Sequence, residues 1–142
     1  MAEALLRHLA PDRFVAASAG AFPVGYVHPL AVAAMERLKV PMEGHRSKSW
    51  DEFAGAEFDL VITLCDAAVR EPCPAFGGAA VRVHWSTQDP VGVMGGDAER
   101  LEFAYHTAEQ LKNKIERLVG VDFEGLSADE LRQSVQEIGG TA

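Results

Sequence analysis

A chain of 142 residues with 48% hydrophobic residues is long enough for one compact domain with its own core, and no break in composition suggests two. A formal net charge of −8 leaves no basic stripe for nucleic acid or an anionic membrane surface, so neither is expected as a partner. Two cysteines are too few for a secreted disulfide scaffold, Met1 to Ala10 lack the features of a signal peptide, and no stretch approaches a membrane span, so a soluble cytoplasmic protein is expected.

Met1 to Ala10 reads as a helix with Met1, Leu5 and Leu9 on one stripe, closed by Pro11-Asp12 and without a visible N-terminal cap. Arg13 to Ser18 is expected to form a short strand, followed by a turn through the Gly- and Pro-rich loop at Ala21 to Gly25. His28-Pro29 opens a second helix, whose apolar stripe is Ala31, Ala34, Met35 and Leu38 and which Pro41 and Gly44 close. Ser49 to Glu52 has the spacing of a capping box and predicts a short helix through Phe53. Phe58 to Leu64 is an apolar run interrupted only by Asp59 and Thr63, the pattern of a strand buried on both faces.

Val81 to Trp85 predicts a further strand, after a loop containing Pro72, Pro74 and Gly77-Gly78. Asp97 is placed to cap a long helix with Leu101, Ala104, Ala108, Leu111, Ile115 and Leu118 at helical spacing. Ser127 to Glu130 is a second capping box, predicting a final amphipathic helix over Ala128 to Ile138 before a flexible Gly139-Gly140 end. Alternating strands and helices imply an α/β fold with a parallel sheet, although only three strands are legible. Ligands in such folds sit beyond the carboxyl ends of the strands, where Cys65, Asp66, Cys73 and Asp89-Pro90 fall. The residues alone leave alternatives open: Cys65 and Cys73 are a reactive pair or two buried small hydrophobes, while Asp89, in an Asp-Pro pair, reads as a turn residue. A metal site from Cys65, Cys73 and His84 matches no zinc spacing, so no metal is expected. His28 reads as a helix-start residue, and Arg46 and Lys48 as a solvated face.

Met1-Ala2-Glu3-Ala4-Leu5-Leu6, Ser18-Ala19-Gly20, Val27 to Val32, Gly44 to Ser49, Val61 to Asp66 and His84-Trp85 to Asp89-Pro90 occur in that order. As an ordered set they resemble the arsenate reductases of the low-molecular-weight tyrosine phosphatase superfamily. The resemblance runs to about Val119, and the last helix is similar to an extension in some members, giving one domain over residues 1–142 with a helical extension at about 120–142. It implies a three-layer, flavodoxin-like fold and no cofactor. In that family a strand leads into a Cys-x5-Arg loop just before the helix that begins Met-Ala-Glu-Ala. Here that helix starts the chain, so the resemblance implies that the first, central strand is missing and that an upstream segment bears it.

Six residues after Cys65 stands Glu71, and six after Cys73 stands Ala79, so neither cysteine seeds that loop. The resemblance implies that a loop cysteine attacks arsenate, Cys65 attacks that cysteine to release arsenite, and Cys73 attacks Cys65 to leave a disulfide for thioredoxin or another thiol reductant. Asp89 matches the general acid of the phosphatases, which faces the oxyanion loop in the reductases. Because the net charge repels an oxyanion, any such site must attract it locally through backbone N–H groups and an arginine. As given, the chain is expected to have no arsenate reductase or phosphatase activity, and Cys65 and Cys73 to form an intramolecular disulfide. A non-catalytic thiol-pair module, binding arsenite or docking on a partner, is the alternative. The slot of the missing strand is expected to close by direct pairing of Arg13–Ser18 with Phe58–Leu64, or to be filled by another chain or segment, as in a homo-oligomer.

Overall fold

The structure, a computed structural model, describes residues 1–20, 25–53, 55–64, 80–87 and 94–140. Among these residues four helices and two strands follow in the order α1 (Ala2–Leu9), α2 (Pro29–Arg37), β1 (Leu60–Thr63), β2 (Val81–His84), α3 (Asp97–Val119) and α4 (Ala128–Gly139), with a 3-10 turn at Trp50–Phe53 before β1. This is an α/β arrangement, and the sheet is parallel as expected: Leu60 faces Val81, Val61 faces Arg82, Ile62 faces Val83 and Thr63 faces His84. No described helix is long and apolar enough to cross a membrane.

The helices form where periodicity and caps place them. His28 caps α2, its Nδ1 accepting from the Leu30 N–H at 3.1 Å with Pro29 in the first turn. Ser127 and Glu130 form a reciprocal capping box at the start of α4, with both bonds made. α3 begins one residue earlier than a capping Asp97 requires: Gly96 is the cap residue, and Asp97 and Glu99 lie in the first turn, where the helix dipole favours negative charge. At the 3-10 turn the Ser49 hydroxyl accepts from the Asp51 N–H rather than from Glu52, and the Glu52 carboxylate pairs with Arg46 at 2.6 Å.

α3 is the spine of the domain, contacting α1, α2 and α4, while α4 also packs on β2. The core joins Leu5, Met35, Val81, Val83 and Trp85 to Ala104, Ala108, Leu111, Ile115 and Leu118 of α3, and to Leu131, Val135 and Ile138 of α4. Trp85 is its largest fully buried side chain.

Two expectations about the sheet fail. Arg13 to Ser18 forms no strand among the described residues: it makes no ladder, Val15 is wholly exposed, and the Ala16 carbonyl is taken by the Arg7 guanidinium at 2.9 Å. An extended segment becomes a strand only through a neighbour, and this one has a side chain in that role. Direct pairing with β1 therefore does not occur. β1, expected to be buried on both faces, is half-buried along its length and pairs only with β2 among the described residues. The carbonyls of Asp59 and Thr63 accept from Val81 and Trp85, so by the alternation of a parallel ladder the polar backbone groups of Leu60 and Ile62 face the other edge, which no described strand pairs.

Candidate functional site at the carboxyl ends of the strands

Cys65, Cys73 and Asp89 lie outside the described residues, but the chain leading to two of them is described in detail. Beyond the last ladder pair, Trp85 N–H donates to the Thr63 carbonyl at 2.8 Å and Thr87 N–H donates to the Leu64 carbonyl at 2.7 Å. The strands are thus zipped one step past their ends, and the segments running on to Cys65 and to Asp89 leave from hydrogen-bonded neighbours. The Thr87 hydroxyl donates to the Trp85 carbonyl at 3.1 Å, tightening the first turn after β2.

His84 links this junction to two other parts of the chain. Its Nδ1 is 2.7 Å from the Thr63 hydroxyl across the strand pair. On the outer edge of β2, one side-chain amide satisfies its backbone: Gln136 Nε2 donates to the His84 carbonyl at 2.8 Å, and His84 N–H donates to Gln136 Oε1 at 3.2 Å. A strand neighbour would make the same pair of bonds. Trp85 is fixed beside it, its Nε1–H donating to the Val135 carbonyl at 2.8 Å within the core. His84 is therefore a structural junction rather than a free metal ligand on its Nδ1 side, and no metal-holding group of three acidic, His or Cys residues occurs among the described residues.

A second cluster gathers three of the segments that carry the sequence resemblance. Glu3 of α1 is buried, with its Oε2 2.6 Å from His45 Nδ1 and its Oε1 3.6 Å from Lys48 Nζ and 3.7 Å from Arg7 Nη2. The Gly44–Ser49 segment that supplies His45 and Lys48 is bridged to Gly20, which donates to the Lys48 carbonyl at 3.0 Å and accepts from Trp50 N–H at 3.1 Å. Burial alone would push the Glu3 carboxyl up, but the His45 hydrogen bond and the Lys48, Arg7 and His45 charges outweigh it and hold it below the ordinary glutamate range. Lys48, expected on a solvated face, has only 8% of its side chain exposed; Arg46 is solvated and paired with Glu52. Sequence reasoning missed Glu3 and Lys48, and the one signal was an acidic residue beside the apolar stripe of α1. A concavity of about 380 Å³ between Leu38 and the α3 residues His106 to Asn113 includes none of these groups.

The family model for low molecular weight phosphotyrosine protein phosphatase matches residues 1–134. The chain belongs to that family. Proteins similar to it include arsenate reductases. This phosphatase-family chain is 29% identical over 119 residues to the glutaredoxin arsenate reductase of Synechocystis sp., covering 84% of this chain and 85% of that protein. It is 31% identical over 115 residues to the arsenate reductase of Halalkalibacterium halodurans, covering 81% of each. A solved structure described as an arsenate reductase in the reduced state superposes with a TM-score of 0.60, at 24% identity over 84% of this chain and 85% of that one, a likeness of fold. The parallel strand pair, the flanking helices and the family match agree with the fold expected from sequence.

Proposed function

We propose that this chain carries the relay part of an arsenate reductase site, with Cys65 as the thiol that resolves the arsenylated cysteine, Cys73 as the thiol that resolves Cys65, and Asp89 as the carboxyl facing the oxyanion. The observation that supports it best is the 2.7 Å bond between Thr87 N–H and the Leu64 carbonyl, since it ties the segment leading to Cys65 to the one leading to Asp89. In the reaction, a nucleophile cysteine forms a sulfur–arsenic bond as arsenate loses hydroxide. Cys65 thiolate then attacks that sulfur, the sulfur–arsenic bond breaks, and its electron pair leaves with arsenic as arsenite. Cys73 attacks Cys65, freeing the first thiol, and the Cys65–Cys73 disulfide is reduced by an external dithiol. Thioredoxin and glutaredoxin are the reductant classes to compare, the second because of the name of the Synechocystis relative. The compartment of action is the cytoplasm, where such reductants keep thiols reduced.

No Cys-x5-Arg sequence occurs in the chain, so by itself it is proposed not to turn over arsenate or a phosphate ester. The β1 edge that no described residue pairs supports a complementing strand, from another segment or a second copy, as the partner that would complete the sheet. The absent loop equally favours a second reading, a thiol pair that binds arsenite without turnover. Mild oxidation followed by peptide mass spectrometry should show a Cys65–Cys73 bridge that thioredoxin or glutaredoxin reduces, and sedimentation should show any self-association. Arsenate turnover by this chain, abolished by Cys65→Ser, would overturn the inactive reading; absence of the bridge would overturn the relay.

A further inference from the structure

α4 makes specific polar contacts with the sheet that hydrophobic packing alone does not require. Gln136 engages both backbone groups of His84, where a neighbouring strand would bond, and Val135 accepts from the buried Trp85 indole. Across β2, the His84 ring reaches the Thr63 hydroxyl at 2.7 Å, and Thr63 lies two residues before Cys65. A continuous set of hydrogen bonds therefore runs from the last helix, through the backbone and ring of one histidine, to the strand end that delivers Cys65.

We infer that Gln136 and Thr63 are positioning residues: α4, through Gln136, His84 and Thr63, fixes the direction in which the chain enters Cys65 and so sets the reactivity of that thiol. The inference rests on the relay reading above. The physical basis is that thiol–disulfide exchange needs the attacking and attacked sulfurs brought to near contact in line, so the orientation of the chain that delivers Cys65 governs its rate. Groups that deliver a reactive side chain hold it only as well as their own rotamers and backbone are held. Without the Gln136 amide, the His84 backbone loses both of its bonds to α4, and its ring is held less firmly against Thr63. Without the Thr63 hydroxyl, the ring loses its cross-strand partner while the ladder stays intact.

The test uses the full chain and two readouts. The first is the effective molarity of Cys65 and Cys73 against glutathione disulfide. Cys65 thiolate attacks it and releases one glutathione, then Cys73 attacks Cys65 and releases the second, so two protein thiols are oxidised and one glutathione disulfide is reduced. The second is the alkylation rate of Cys65 by iodoacetamide, which does not depend on Cys73. Thr63→Val and Gln136→Ala should each lower the effective molarity by about threefold to tenfold and change the Cys65 alkylation rate, while Thr63→Ser restores both. Thermal melting is measured alongside, and if Gln136→Ala fails to fold, the Thr63→Val and Thr63→Ser pair decides alone. Unchanged effective molarity and alkylation in folded Thr63→Val protein would overturn the inference while leaving the relay intact. A wild-type chain that forms no bridge would instead overturn the relay, and the alkylation comparison would still decide the positioning role.

Discussion

Gly139 lies so close to the indole of Trp85 that a Cβ built on it would sit 2.2 Å from Cδ1. Gly139 is the last helical residue of α4, so the tolerance of its backbone for alanine is not in question and the obstacle is steric. Gly139→Ala should cost about 1 to 3 kcal/mol through overpacking of the largest buried side chain. Gly140→Ala is the control, because its Cβ would meet only the Glu137 carbonyl at 3.6 Å. Urea denaturation with an unchanged slope should separate the two; equal midpoints would show that the indole gives way freely.

The Glu3 cluster predicts an acid-sensitive contribution to stability. With its carboxyl held below the ordinary range in the folded chain, Glu3 stabilises fully above the unfolded value of about 4.3 and loses that contribution as pH falls through the lower folded value. Glu3→Gln leaves the nearly buried Lys48 without its carboxylate partner and should cost roughly 3 kcal/mol at neutral pH. The gap between wild type and Glu3→Gln should be widest at neutral pH and narrow below about pH 4. A gap that stays constant from neutral pH to acid would refute the assignment.

Ser127→Ala should remove the acceptor for the Glu130 N–H and cost about 1 kcal/mol, confined to α4. The Glu130 carboxyl is held low first by the Ser127 backbone N–H and then by the Ser127 side chain. Because the substitution keeps the backbone donor, the Glu130 titration followed by NMR should move only part of the way back to its ordinary range. Hydrogen exchange should quicken in the first turn of α4 and not in α3.

Arg37 stacks 3.9 Å from the centroid of the Tyr105 ring and pairs with Glu102 at 2.7 Å, joining α2 to α3 on an exposed face. Arg37→Lys keeps the charge but loses the planar stack, and should cost about 0.5 to 1 kcal/mol. A double-mutant cycle with Tyr105→Leu measures the coupling, and a value near zero would assign the contact no energetic role.

Elements whose cause is local were legible in the sequence. The Ser127–Glu130 box, the His28-Pro29 start and the α3 stripe each depend on residues within a few positions of one another, and each stands where the pattern puts it. What was not legible depends on distant partners. Arg13 to Ser18 has strand-forming residues but no ladder neighbour, so propensity had nothing to act on. Glu3 meets His45 across 42 positions, and nothing near Lys48 announced that its ammonium would be buried. Gly139 read as a loose end because the ring it packs under lies far away in sequence. At the candidate site the resemblance supplied Cys65, Cys73 and Asp89, which fall outside the described residues. The structure instead supplied partners for Thr63 and His84, which lie in segments of the resemblance but were given no role there, and Gln136, which no motif marks.

The dependence of Trp85 on α4 has a consequence for how the protein is made. The indole donates to a carbonyl 50 residues further along the chain, so during synthesis it leaves the ribosome long before its cover exists. At roughly 5 to 20 residues per second that interval lasts about 3 to 10 seconds. Throughout it, the nascent chain carries a large apolar ring and a His84 backbone edge whose α4 partners do not yet exist. The pocket around Trp85 can close only once α4 has been made, so the strand end waits on a segment 50 residues downstream.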